Sequence, residues 1–215
     1  MDIGKSFTFL FDDEAWLSKL VIGALVAIIP IVNLASLGYI IHLIRNVRDG
    51  LAQPLPEWGG NFGEFFMDGL KVFVGLVVYY LPMLVPIGFV AVITAALGTT
   101  GSDTAETILP FIVLCFQCFI FILGIAPYLL MPAIFVRYAE RGEIGAMFQP
   151  GEVWAFIQRD MGSYLIVLLL SFAVMTFLAP LGVLACVVGV FLTQWWGYLV
   201  FGHLTGQLAA QNASL

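Results

Sequence analysis

The sequence predicts an all-α integral membrane protein, a bundle of five or six transmembrane helices with two cytoplasmic interfacial elbows and an internal parallel repeat. Three observations support this fold class. The chain is 61% hydrophobic and only 10% charged, with a mean hydropathy of +1.04, which leaves too little polar surface for a water-soluble globule. Apolar stretches of spanning length recur along the chain. Two segments rich in Pro, Gly, aromatic and acidic residues interrupt them.

The predicted organisation is one membrane domain over residues 1–215. A spanning helix needs about 20 residues, and the first apolar stretch is long enough for one tilted span or for two short helices broken at Ile-Pro-Ile-Val-Asn, with the pair slightly favoured. The predicted segments are an interfacial N-terminus (1–16), a first span or short helical pair (17–44), a first elbow (45–69), a span (70–97), an external loop (98–106), a span (107–136), a second elbow (137–162), two spans (163–208) and a tail (209–215).

The distribution of Lys and Arg predicts the orientation. Short loops that carry basic residues stay on the cytoplasmic side. Both elbows carry them, whereas the loop 98–106 carries none. The elbows and the C-terminus are therefore predicted to be cytoplasmic and the loop 98–106 to be external. The N-terminal residues lack the pattern of a cleavable signal peptide.

The charge and the cysteines exclude several classes of function. A net charge of −6 with only 8 Lys and Arg argues against a nucleic-acid partner, because phosphate binding needs clustered basic residues. Cys115, Cys118 and Cys186 lie in apolar stretches, so we expect buried hydrophobic side chains and no disulfide framework. A zinc site needs four ligands, and Cys115-Phe-Gln-Cys118 has no matching second pair. We expect no metal and no cofactor.

The two elbows share an outline that predicts an internal repeat. Each combines an Arg, a Gly, a Gln-Pro pair, a Glu, a Trp and an Asp before the next span. The first elbow is expected to place Trp58, Phe62, Phe65 and Phe66 at the membrane interface and its acidic residues in water. It then either anchors the turn or docks a partner protein or lipid headgroups, for which the candidate residues are Arg45, Glu57, Trp58, Asp68 and Trp154.

Polar side chains within the apolar stretches are candidates for a pathway or a ligand site. Asn33, Gln117 and Gln194 could line a polar pathway, although such amides also bind neighbouring helices. His42 and His203 could together ligate haem or a pigment metal. Histidines at helix ends also hydrogen-bond carbonyls or headgroups.

The string from Trp16 to Lys71, with IPIVN, PLPEW and DGLK, and the ending HLTGQ resemble the prokaryotic membrane-protein family called domain of unknown function 4013. The resemblance implies a multi-span membrane protein of bacteria or archaea and implies no activity, and we expect it in the cytoplasmic membrane. The matching positions are Trp16, Asn33, Gly38, Tyr39, Arg45, Asn46, Pro54, Pro56, Glu57, Trp58, Asp68, Gly69, Lys71, His203, Gly206 and Gln207.

We expect a binding function. The sequence carries no Ser-His-Asp set, paired catalytic carboxylates, metalloprotease motif or phosphate loop, so we predict that the protein is not an enzyme. The first hypothesis is an accessory or scaffold component whose partners are the lipid bilayer and another membrane protein. The alternatives are a transporter or channel for a small or amphipathic solute, motivated by the repeat and by recurrent prolines, and a haem or pigment binder.

Overall fold

The computed structural model describes residues 1–99 and 103–214, and all regular secondary structure in this part of the chain is helical. Three helical segments are long and apolar enough to cross a membrane, namely Phe62–Gly98, Thr107–Arg141 and Met161–Leu184. The protein is therefore embedded in a membrane. The helices are α1 (Ile3–Thr8), α2 (Trp16–Ile28), α3 (Leu34–Arg48), α4 (Phe62–Gly98), α5 (Asp103–Arg141), α6 (Pro150–Arg159), α7 (Met161–Ala173) and α8 (Cys186–Ser214), with 3-10 turns at Phe9–Asp12, Ile144–Phe148 and Ala179–Ala185.

The chain divides into two compact units where the sequence suggested one domain. The first unit contains Met1–Val74 and Pro132–Leu215, and the second contains Gly75–Met131. Of the predicted external loop, residues 100–102 lie outside the described part of the chain. The predicted total of five or six spans would also require α8 and the α2–α3 pair, and it stays a prediction.

The first apolar stretch forms two short helices. With 13 and 15 residues, α2 and α3 are each roughly 20 Å long. They are separated at Ile29–Asn33, where the break was expected. Ile31 has a φ of 71°, a left-handed conformation that a β-branched residue seldom adopts.

Small residues allow the helices of the first unit to pack closely. A Cβ at Gly38 would collide with the carbonyl of Phe65, and a Cβ at Gly69 would collide with the carbonyl of Leu34, so α3 and α4 cross with their backbones in contact. A Cβ at Gly206 would collide with the Val47 side chain, so α8 packs closely against α3. The small residues of α8 serve a contact within the chain.

The second unit is an antiparallel helix pair. Phe89 packs on Phe116 with ring centroids 5.1 Å apart, and Met83 lies opposite Gly124. Both helices are continuous through their prolines. Large apolar side chains cover the surface of the pair, including Val85 at 76% exposure, which is the surface expected of helices that contact lipid.

The last apolar stretch changes helix type between α7 and α8. A π-helical turn, Val174–Leu178, leads into the 3-10 turn that contains Pro180. The change frees backbone carbonyls at membrane depth, where they need partners. Thr193 provides one, because its Oγ1 lies 2.6 Å from the Ala179 carbonyl oxygen.

The two elbows differ in structure. Residues 51–61 of the first elbow contain no helix, whereas the second elbow holds a 3-10 turn and α6. The proposed repeat is therefore not matched by equal local structure in the two elbows.

Candidate functional site

The polar cluster around Asp68 joins three helices. Asp68 lies on the second turn of α4, and its Oδ2 accepts hydrogen bonds from Arg45 Nη1 at 2.7 Å and from the His42 Nε2 position at 3.0 Å. Its Oδ1 accepts from the Tyr138 hydroxyl of α5 at 2.8 Å. Arg45 also donates from Nε to the Ala139 carbonyl at 2.9 Å. The cluster therefore binds α3, α4 and α5 together within the first unit.

Sequence spacing explains the donors on α3. His42 and Arg45 are three residues apart, so they share one face of the helix. Hydrogen bonds between charged groups are stronger than hydrogen bonds between neutral groups. The Asp68 side chain is only 15% exposed. The negative charge of Asp68 is thus neutralised by Arg45 inside the protein.

An open cavity of about 390 Å³ lies beside this cluster. Lys71 borders it, with Nζ 4.0 Å from Asp68 Oδ1 and a side chain that is 40% exposed. Glu64 lies two helical turns before Lys71 and is exposed. The lining residues are His42, Arg45, Gly63, Glu64, Met67, Asp68 and Lys71.

A second charged group holds the first elbow against α2. Lys19 is buried, and its Nζ contacts Asp13 Oδ2 at 2.6 Å and Glu57 Oε1 at 2.5 Å. It also donates to the Leu55 carbonyl at 3.2 Å. The buried ammonium therefore has two carboxylates and a carbonyl as partners, as a charge in an apolar core requires.

Trp58 and Phe65 belong to the core and do not present an apolar face to the membrane interface. Trp58 is 8% exposed and Phe65 is fully buried. Trp58 stacks on Tyr39 at 4.4 Å and donates from Nε1 to the Lys19 carbonyl at 3.3 Å. The expectation that this part of the elbow lies on the membrane surface overlooked the alternative use of aromatic residues, which is to fill the space between helices.

The second elbow keeps its tryptophan exposed. Trp154 on α6 is 53% exposed, whereas Val153, Phe156 and Ile157 on the same short helix are buried. Arg137 fastens this elbow to α5 through a 2.7 Å contact with Glu152. The elbow thus presents an aromatic side chain from a firmly packed helix.

Asp160 ends the second elbow and caps α7. Its Oδ1 accepts from the Ser163 backbone N–H at 3.0 Å, which satisfies a free donor of the first turn. Hydrogen bonds from the Ser163 side chain and backbone lower the pKa of the Asp160 carboxyl.

A second, smaller cavity of about 80 Å³ lies between α6 and the end of α8. Arg137 and Arg159 border it together with Glu140 and Glu152. Arg137 is paired with Glu140 and Glu152, and Arg159 donates to the Asn212 carbonyl at 3.0 Å.

The two histidines take part in separate hydrogen-bond networks. His203 is buried, and its Nδ1 lies 2.9 Å from Ser6 Oγ and 3.0 Å from Gln207 Nε2, with Phe9 stacked on the ring at 4.2 Å. His42 bonds Asp68 and Arg45 instead. Each named ring nitrogen is thus engaged with protein atoms. Among the described residues, no group of three His, Cys, Asp or Glu side chains could hold a metal ion.

The three candidate pathway residues occupy different settings. Asn33 is exposed at the turn between α2 and α3, and Gln117 is exposed on α5 within the second unit. Gln194 donates to Tyr198 on its own helix at 3.1 Å. None of the three lines either of the two cavities described above.

Comparison with known proteins places the chain in a family. The model of the family described as "Protein of unknown function (DUF4013)" matches residues 21–192. The chain belongs to this DUF4013 family. The match includes the Asp68 cluster and both elbows, whereas Trp16, His203, Gly206 and Gln207, which the resemblance had also used, lie outside it. No curated protein matches the chain, and no solved structure matches it.

Several residues of this DUF4013 site were not identified from the sequence. Tyr138 lies 70 positions from Asp68, and nothing in its neighbourhood distinguishes it from the other aromatic residues. Lys19 carried a usable signal, because a lysine inside an apolar helix needs an acidic partner. Ser6 carried none.

Proposed function

We propose that the protein is an accessory or scaffold component of the membrane, which acts by binding and not by catalysis. The exposed Trp154 on the amphipathic helix α6 is the observation that carries this proposal. The helix buries Val153, Phe156 and Ile157 in the first unit, while Trp154 presents a large aromatic side chain at the surface. Exposed aromatic residues on packed elements are typical binding anchors.

The exposed apolar surface next to α6 supports the same function. Met161, Leu165 and Leu169 are exposed by 47%, 49% and 67%, and their spacing places them along one side of α7. Trp154 and this side of α7 are the candidate surface for a membrane partner. The positions of Lys and Arg favour the cytoplasmic side of a prokaryotic cytoplasmic membrane for both elbows and for the C-terminus.

The test is recovery of a partner from the native host. The full-length protein is solubilised in mild detergent or nanodiscs, and the proteins that copurify are identified and quantified by mass spectrometry. We expect a stoichiometric membrane-protein partner that Trp154→Ala reduces at least severalfold. Phe111→Ala is the matched control, because Phe111 is 67% exposed but belongs to the second unit. The proposal would be refuted if the protein is monomeric, copurifies with no partner, and behaves in the same way with and without Trp154→Ala.

Transport of a small or amphipathic solute is the second candidate. The helix interruption at Val174–Ala185 favours it, because interrupted helices form the binding sites of many transporters. The separate settings of Asn33, Gln117 and Gln194 do not favour it. Solute flux into proteoliposomes that disappears in Thr193→Val would support transport over the scaffold.

The third candidate, a haem or pigment binder, has less support because His42 and His203 have separate protein partners. An absorption spectrum of the preparation tests it directly. A visible band that is lost in both His42→Gln and His203→Gln would support it, and a colourless preparation would refute it.

A further inference from the structure

We propose that the cavity beside the Asp68 cluster binds the headgroup of phosphatidylethanolamine, with the phosphate on Lys71 and the ammonium on Glu64. The inference rests on the proposed binding function and names a ligand for it. It depends on the order of charges along α4, on their pairing and on the depth at which each lies.

The order of the charges matches a zwitterion. Glu64, Asp68 and Lys71 lie on one side of α4, because residues three and four apart are neighbours on a helix. Glu64 and Lys71 are seven residues apart, which is roughly 10 Å along the axis. That distance accommodates a phosphate and an amine joined by two carbons, with one hydrogen bond at each end.

The depth of the charges matches the orientation of a lipid. The spanning helix α4 begins at Phe62, so Glu64 lies in its first turn and Lys71 lies about two turns further into the helix. In an ethanolamine phospholipid the phosphate is attached to the glycerol, and the ammonium is the group nearer to water. The cation of the protein therefore lies at the depth of the phosphate, and the carboxylate lies at the depth of the ammonium.

The existing ion pairs leave both Lys71 and Glu64 available to bind a headgroup. Asp68 accepts from Arg45, His42 and Tyr138, so it does not need Lys71, which stands 4.0 Å away. Among the described residues, Glu64 is in no ion pair with a basic side chain. The lining carries two basic groups besides His42 and two carboxylates, a balance that suits a headgroup without net charge.

The same chemistry discriminates among phospholipids. Phosphatidylcholine has a trimethylammonium group, which cannot donate a hydrogen bond to Glu64. Phosphatidylglycerol brings a negative charge without a cation, so it would leave Glu64 uncompensated. A hydrogen bond between charged partners is the difference that selects ethanolamine over choline.

The experiment measures which lipid the full-length protein retains. The protein is delipidated and reconstituted in vesicles of equal parts phosphatidylethanolamine, phosphatidylcholine and phosphatidylglycerol, and then analysed by native mass spectrometry. We expect retained ethanolamine lipid to exceed choline lipid by about tenfold. Glu64→Gln should bring this ratio close to one, and Lys71→Gln should lower the retention of both lipids.

Matched controls separate the cavity from the overall charge. Glu14→Gln and Lys5→Gln make the same changes at exposed positions of the N-terminal part and should leave the ratio unchanged. The thermal midpoint of each variant should stay near that of the wild type, since Glu64 is exposed and the Lys71 side chain is 40% exposed. Equal retention of the choline and ethanolamine lipids, preference for phosphatidylglycerol, or an unchanged ratio in Glu64→Gln would each overturn the inference.

The outcome is independent of the scaffold test. A protein partner that copurifies with wild type and with Glu64→Gln, while no ethanolamine preference exists, would refute only the lipid site. Ethanolamine selectivity without any protein partner would refute only the scaffold.

Discussion

At the scale of single residues, Asp68 is the acceptor on which the first unit depends most. It takes three donors from α3 and α5, and its removal would leave the Arg45 guanidinium partly buried without an anion. Such uncompensated charge is more costly than the loss of an exposed pair.

We therefore expect Asp68→Asn to destabilise the protein by about 2–3 kcal/mol, because the amide nitrogen would face one of the three donors. Thermal unfolding in detergent measures this. Asp12→Asn is the control, since the Asp12–Lys5 pair is about half exposed and should cost less than about 1 kcal/mol. Equal losses in the two variants would contradict this account of Asp68.

Ile31 offers the opposite change, a gain in stability. Its left-handed backbone, at a φ of 71°, costs about 1–2 kcal/mol for a residue with a Cβ. Ile31→Gly should raise the thermal midpoint by a few degrees, because relief of strain exceeds the entropy cost of glycine. Ile29→Gly should lower it, since Ile29 has an ordinary extended backbone. A lower midpoint in both variants would refute the assigned strain.

At the scale of helices, the α3–α4 crossing is set by two glycines. Each lies against a carbonyl of the facing helix, Gly38 against Phe65 and Gly69 against Leu34. The obstacle at each position is backbone, which cannot move aside as a flexible side chain can.

Gly38→Ala and Gly69→Ala should each destabilise the protein by about 2 kcal/mol or more. The expected cause is separation of α3 from α4, which would also pull Arg45 away from Asp68. Gly63→Ala is the matched control on α4, because a Cβ there meets nothing within 4 Å. The crossing is wrongly assigned if all three substitutions have the same effect on the thermal midpoint.

The sequence predicts helices of this kind better than it predicts their partners. Hydropathy indicated α4 and α5, because a bilayer imposes a minimum apolar length on every span. Pro30 and Asn33 likewise indicated the break between α2 and α3. The burial of Trp58 was not predictable, since an aromatic residue after a turn suits the interface and the core equally well. The Asp68–Tyr138 bond joins distant segments and leaves no local pattern.

At the scale of the whole molecule, the orientation in the membrane is the main prediction. Gly59 in the first elbow and Gly145 in the second are exposed, with open space around them, and both should face the cytoplasm. In a background without the three native cysteines, Gly59→Cys and Gly145→Cys should react with a membrane-impermeant maleimide in inverted vesicles and not in intact cells.

Gly98→Cys, at the end of α4, should show the reverse pattern. Labelling of all three positions from one side would contradict the predicted orientation. Labelling of Gly59→Cys and Gly145→Cys from opposite sides would contradict the even number of spans between the elbows.

The contacts of α8 have a consequence for biosynthesis. This helix of 29 residues packs against α2, α3 and α7, and its Gln207 accepts a hydrogen bond from the backbone N–H of Asp2. The helices α2, α3 and α7 are therefore synthesised before α8, the helix against which they pack. During that interval the surfaces of the α2–α3 pair around Gly23 and Ile40, which contact α8 in the folded protein, are uncovered. A membrane chaperone or the insertion machinery would have to shield those surfaces until α8 arrives.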